Sequence, residues 1–222
     1  MSARTETVEL KAVDGHRLAA WRVTPAGRPR GGIVIVQEIF GVNAHIRAVT
    51  EQYAAAGYLA IAPALFDRAE RGADVPYAEP AAGRAIRERL KTEQTLLDLK
   101  AAIDAVAAAG KVGMVGYCWG GTMTYVAACH LALAAGVVYY GGGLPRVLDR
   151  TPKCPVMFHF AEHDQHVPAT DVEQVKKAYP MGHYYLYPAD HGFNCTDRAA
   201  HEPASAKLAL DRSLDFLHRH VG

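Results

Sequence analysis

The stretch KVGMVGYCWGGT, residues 111–122, decides how this chain reads. Its first part, KVGMVGYC (111–118), is an apolar run of the kind expected in a strand buried on both faces. GGTMTYVAACHLAL (120–133) follows at once and has helical spacing. Cys118 stands at the junction, with Gly116 two residues before it and Gly120 two residues after. Gly-x-Cys-x-Gly at a strand-to-helix junction fits a nucleophile elbow in which cysteine replaces serine. Such a turn holds the nucleophile in a strained backbone conformation, and the two flanking positions crowd each other, so neither tolerates a large side chain. The helix behind it aims its first N–H groups at the sulfur, a field that favours thiolate. The N–H of Trp119 is placed to donate to an oxyanion. Cysteine is also among the most frequently buried residue types, so the motif alone balances a packed thiol against an attacking one.

The flanking segments supply a context. TETVEL (5–10) and RLAAWRVT (17–24) alternate around the turn VDGH and predict an antiparallel hairpin. GGIVIVQEIFG (31–41) predicts a central strand, residues 44–57 a helix closing at Gly57, and YLAIAPAL (58–65) another buried strand. Residues 79–109 are mostly helix-compatible, with Leu96, Leu97, Leu99, Ala102 and Ile103 as a packing stripe. Strands are expected at 136–142, 154–164 and 183–190, and helices at 171–180 and 203–221. Strands alternating with helices imply right-handed βαβ units and an α/β fold, with about eight mostly parallel strands and helices on both faces. No linker or repeat divides residues 1–222, so one domain with no large lid is expected. The longest polar loop, 66–80, follows a strand's C-terminal end, where open α/β sheets bind ligands.

Composition excludes several function classes. Lys plus Arg is 24 and Asp plus Glu is 23, a net charge of +1, so neither nucleic acid nor an acidic membrane surface is an expected partner. The first ten residues, MSARTETVEL, do not resemble a signal peptide, and the apolar runs are too short for a membrane span. Four cysteines (118, 129, 154, 195) without Cys-x-x-Cys spacing read as reduced thiols in a cytoplasm. Neither GxxxxGK[ST] nor a post-strand GxGxxG occurs, so no cofactor is expected. The expected partner is a small-molecule ester or lactone; a monomer and a small homo-oligomer both remain open.

A cysteine nucleophile needs a base and an acid, and in elbow hydrolases they follow in the order nucleophile, acid, base. FHFAEHD (158–164) ends a predicted strand at Asp164, and YPADHGFN (187–194) places His191 just beyond the last core strand. Cys118, Asp164 and His191 thus fall in the expected order, each at a strand's C-terminal end. Glu162 and Asp190 compete as the acid but are less well placed. His159, His163, His166 and His183 compete as the base. His159, His163 and His166 with Cys154 could be imagined as a metal site, yet side chains leaving a buried strand diverge, and no metal is expected.

Glu38, in VQEIFGVN (36–43), ends an apolar strand, a costly place for an acid unless it is paired or functional. Taken together, QEIFGVN, APALFDR, GYCWGG, AEHD and HGFN, spanning residues 37–194, resemble the dienelactone hydrolase family of the α/β-hydrolase fold. The resemblance implies Cys118 as nucleophile, His191 as base and Asp164 as its orienter. It implies that Glu38 contacts the resting thiol and helps deprotonate it once substrate displaces the carboxylate. Ile39 N–H and Trp119 N–H would form the oxyanion hole, Arg68 would bind a substrate carboxylate, and Phe40, Trp119 and Tyr140 would wall the pocket. The family's second carboxylate-binding arginine lies four residues after the histidine, where this chain has Cys195; Arg198 is the nearest replacement. A cysteine elbow also occurs on flavodoxin-like amidotransferase folds, and a hydrolase fold can serve redox sensing or ligand binding, so both remain rivals.

Overall fold

A computed structural model describes residues 3–222. The strands are β1 (Arg4–Lys11), β2 (Arg17–Thr24), β3 (Gly32–Val36), β4 (Leu59–Pro63), β5 (Val112–Tyr117), β6 (Ala135–Tyr139), β7 (Val156–Ala161) and β8 (His183–Tyr187). The helices are α1 (Ala44–Ala55), α2 (Pro80–Glu88), α3 (Thr92–Val106), α4 (Trp119–His130), α5 (Ala169–Ala178) and α6 (Pro203–His220). All eight strands form one sheet in the order β1-β2-β4-β3-β5-β6-β7-β8. The β1–β2 hairpin pairs antiparallel and β2 joins β4 antiparallel; every pairing from β4 to β8 is parallel. This is the α/β architecture that the alternation of elements predicts.

Residue alternation along the buried strands explains the layers. Ile33 and Ile35 of β3 and Val115 and Tyr117 of β5 pack with α1 and α6 through Ile46, Tyr53, Phe216 and Leu217. Val34, Val36 and Met114 point the other way, onto Leu99, Ala102 and Val106 of α3 and Met123 of α4. Farther along the sheet, Val156 and Phe158 of β7 pack with Val172 and Val175 of α5. Both faces are therefore covered, which is why the central strands are continuous apolar runs.

Two boundaries depart from expectation. The strand expected over 31–41 pairs only from Gly32 to Val36, and QEIFG leaves the sheet at its C-terminal end. The helical stretch 79–109 breaks into α2 and α3 at Arg89–Lys91, with Lys91 extended at φ −93°, ψ 134°. No Pro or Gly marks that break. Alpha-3 packs on the sheet, whereas α2 lies over the ends of the strands, and one straight rod cannot do both.

The chain runs from β3 to β4 on one side and then crosses to β5 on the other, so the order reverses at β3. The ends of β3 and β5 thus flank a crevice, the place where such sheets bind ligands. At the end of β5 the turn into α4 takes one residue. A Cβ on Gly116 would lie closer than 3.0 Å to the Gly120 carbonyl oxygen, and one on Gly120 would strike the Val36 and Gln37 carbonyl oxygens. Both glycines are required by backbone that cannot rotate away. Gly116→Ala should destabilise the protein by about 3 kcal/mol or more, read as a lowered urea midpoint; an unchanged midpoint would contradict this packing.

Candidate active site

Cys118 has φ 54° and ψ −118°, a region an L-residue occupies only under constraint. The constraint is local. Its N–H donates to the Tyr139 carbonyl at 3.0 Å, and its own carbonyl accepts from Gly121 N–H at 3.0 Å and Thr122 N–H at 3.3 Å. Trp119 is the first residue of α4, so its N–H belongs to a first turn that lacks intrahelical acceptors. That end of the helix dipole favours negative charge on the sulfur.

His191 and Asp164 meet as the sequence predicts. His191 Nδ1 lies 2.8 Å from Asp164 Oδ2, and both side chains are buried. The other carboxylate oxygen of Asp164 accepts the N–H groups of His166 (2.7 Å) and Val167 (3.0 Å), just before α5, which fixes its orientation. Burial pulls the His191 imidazole toward the neutral form. The Cys118 sulfur and the Asp164 carboxylate outweigh burial and raise it to about 10.

A cavity of about 210 Å³ opens on this group, lined by Cys118, His191, Trp119, Ile39 and Phe40 and by the arginines Arg84, Arg87 and Arg198. Trp119 is backed by Phe66, 5.8 Å away between ring centroids. Arg198 reaches the cavity because Gly192, at φ +85°, has no side chain; a Cβ there would collide with the guanidinium. The same guanidinium lies over the Phe40 and Tyr77 rings at 5.8 Å from each centroid. At the neighbouring position, Cys195 turns its sulfur to Tyr77 Oη at 3.1 Å, and burial pushes that thiol up to about 11. Arg198 thus occupies the cavity while Cys195 packs behind it.

Glu38 sits at the end of β3, 1% exposed, with neither oxygen hydrogen-bonded. Burial raises its carboxyl above the usual range; Arg198, His191 and Tyr140 oppose the rise. Arg198 Nη1 lies 3.8 Å from Glu38 Oε1.

Three expectations from the sequence need correction. Arg68 does not line the cavity. LFDR folds into a 3-10 turn, and the guanidinium pairs with the fully buried Asp98 at 2.7 Å and with Asp14 at 2.8 Å, tying the strand end to α3 and the N-terminal hairpin. Tyr140 does not wall the cavity either. It is fully buried at φ 36°, with its ring 4.9 Å from that of His191 and its hydroxyl unpartnered. Glu38 makes no hydrogen bond to the Cys118 thiol and faces Arg198 instead. Sequence reading missed Arg84 and Arg87. Their i, i+3 spacing either side of the buried Ile86 puts both on one side of α2, but nothing in AGRAIRERL says that this side faces the cavity. It also missed His166, whose ring meets His191 edge-on at 4.9 Å. His159 faces away from the site, buried between Tyr187 Oη (2.8 Å) and Ser213 Oγ (3.0 Å), and burial lowers it to about 3. Among the described residues, no cluster of His, Cys, Asp and Glu is arranged to hold a metal.

The sequence profile of the dienelactone hydrolase family matches residues 18–221. The chain belongs to the dienelactone hydrolase family. Carboxymethylenebutenolidases from Pseudomonas putida and Pseudomonas knackmussii are each 34% identical to it over 230 residues, covering 96% of this chain and 96% of their own. A solved structure of a candidate dienelactone hydrolase from Klebsiella pneumoniae superposes with a TM-score of 0.86 at 28% identity, covering 97% of this chain and 98% of the other. The protein is accordingly a hydrolase, and its fold is that of the family. No helix among the described residues is long and apolar enough to cross a membrane.

Two measurements follow from these charges. A carboxyl raised by burial stabilises the folded state fully below the ordinary glutamate value of about 4.3 and loses that contribution as pH rises through the folded value. Glu38→Gln does not titrate, so its free energy of unfolding, from urea titration, should exceed that of the parent at pH 7–8 by about 1–3 kcal/mol and converge on it near pH 4. A constant difference across that range would contradict the buried charge. Arg68→Gln should lower thermal stability by leaving Asp98 buried without its cation, about 3 kcal/mol, with KM for every substrate unchanged.

Proposed function

We propose that the protein is a single-domain cysteine hydrolase that opens enol-lactones, or cleaves activated esters, bearing a carboxylate, through Cys118, His191 and Asp164 and a thioester acyl-enzyme. The observation that supports this reading best is one cavity holding an elbow cysteine, an imidazole bonded at 2.8 Å to a buried carboxylate, and three guanidinium groups.

The arginines receive the substrate carboxylate. Arg198 is also the cation beside Glu38, so a bound anion competes for it and leaves a buried carboxylate uncompensated. Glu38 then takes the proton of the Cys118 thiol. The thiolate attacks the lactone carbonyl carbon, and the developing oxyanion is met by Ile39 N–H and Trp119 N–H, whose residues line the same cavity as Cys118. The acyl C–O bond breaks, the enolate leaves with the proton from Glu38, and the acyl group remains on sulfur. His191 is neutral while Cys118 rests as a thiol and stays neutral here, because the acylated sulfur carries no charge. Neutral His191 accepts a proton from water, and the hydroxide attacks the thioester. Thiolate departs, the carboxylic acid is released, and the His191 proton returns to sulfur.

Thiolate is a better leaving group than an alkoxide, so attack on a simple alkyl ester collapses backward. An enolate leaves readily, which selects enol-lactones and activated esters. Cys118→Ala should abolish turnover of cis- and trans-dienelactones and of p-nitrophenyl acetate, followed spectrophotometrically; activity near that of the parent would overturn the reading. Arg198→Ala and Arg84→Ala should each raise KM for a carboxylate-bearing lactone about 10- to 100-fold and leave KM for neutral p-nitrophenyl acetate unchanged.

A further inference from the structure

Glycine weakens a helix interior, yet Gly83 lies in the middle of α2. Its backbone is helical, so its own conformation does not demand glycine. The demand comes from Ile39. A Cβ at position 83 would lie closer than 3.0 Å to the Ile39 carbonyl oxygen, 3.1 Å from its carbon and 3.4 Å from its Cβ. The nearest obstacle is backbone and cannot swing aside. Alpha-2 therefore rests directly on the carbonyl and Cβ of Ile39, one Cα away from the Ile39 N–H.

Ile39 belongs to a segment held the same way along its length. A Cβ on Gly120 would strike the Val36 and Gln37 carbonyl oxygens from the α4 side. Gly41, at φ +86°, abuts the Ala73 carbonyl, and Val75 N–H donates to the Phe40 carbonyl at 3.0 Å. Backbone meets backbone at each point, so little slack is available between Val36 and Gly41. Immediately after Gly83, Arg84 enters the cavity; Ile86, one turn on, is the other buried residue of α2, and Arg87 lines the cavity beside it.

We propose that Gly83 is a positioning residue. By seating α2 on the Ile39 carbonyl and Cβ, it fixes the backbone of Ile39 and so the N–H on the other side of its Cα, the proposed oxyanion donor, and links that residue mechanically to the anion-binding arginines on the same helix. This rests on the triad and oxyanion roles proposed above. Binding of a carboxylate at Arg84 and Arg87 then presses α2 onto the residue whose N–H the transition state uses.

Hydrolysis of neutral p-nitrophenyl acetate separates positioning from anion binding, and alkylation of Cys118 by iodoacetamide reports the thiol without using an oxyanion hole. Gly83→Ala should lower kcat about 10- to 100-fold, with KM and the alkylation rate unchanged. Ile86→Ala, which loosens the same seat without adding a clash, should give the same kcat-only loss at smaller amplitude. Ala85→Gly, which weakens the helix on its exposed side, should leave kcat unchanged. Wild-type kcat in Gly83→Ala, or parallel loss of kcat and alkylation, would overturn the proposal. Should Gly83→Ala fail to fold, an unchanged kcat in Ile86→Ala does so. Failure of the triad reading is seen separately, as turnover that persists in Cys118→Ala.

Discussion

The structure depends on one steric constraint: β5 passes into α4 through a single residue, with no room for a side chain at Gly116 or Gly120. This close crossing forces Cys118 to φ 54° and presents its sulfur above the sheet, at the positive end of a helix. The same crossing packs Gly120 against Val36 and Gln37, so the end of β3 is registered to the elbow. Strand pairing alone does not achieve this, because β3 leaves the sheet at Val36. Glu38 and Ile39 are placed by helix-to-backbone contact rather than by the ladder.

Around that frame the charges balance pairwise through shared partners. Asp164 and the charged form of Cys118 favour a proton on His191 against burial. Arg198 offsets Glu38, whose oxygens otherwise lack partners in a site where such a group costs about 1–3 kcal/mol. Arg198 therefore stands between two anions, one belonging to the protein and one to the proposed substrate. Tyr140, the other non-glycine residue at positive φ among those described, packs against His191 and belongs to the same strained neighbourhood.

Much of this was legible before any coordinates. The alternation of apolar strands and amphipathic helices yields the α/β sheet, and Cys118, Asp164 and His191 follow from order and from position at strand ends. The errors have a common cause. Arg68, Tyr140 and the Glu38–thiol contact are what the family resemblance implies, whereas side-chain direction at a strand end is set by what lies across it. Asp98, 30 residues along the chain from Arg68 and in none of the motifs, captures its guanidinium. Arg84 and Arg87 went unassigned because nothing in 79–109 announces that the helix breaks and that α2 leaves the sheet.

The sequence by itself determined the fold class, the elbow turn and the strand-end positions of Cys118, Asp164 and His191, because these rest on local periodicity and on glycines that only a tight turn requires. Tertiary structure alone decided which arginines face the cavity, which cation sits beside Glu38, and why Gly83 must be glycine. Those outcomes depend on distances of a few ångströms between segments far apart in the chain, and no local pattern encodes them.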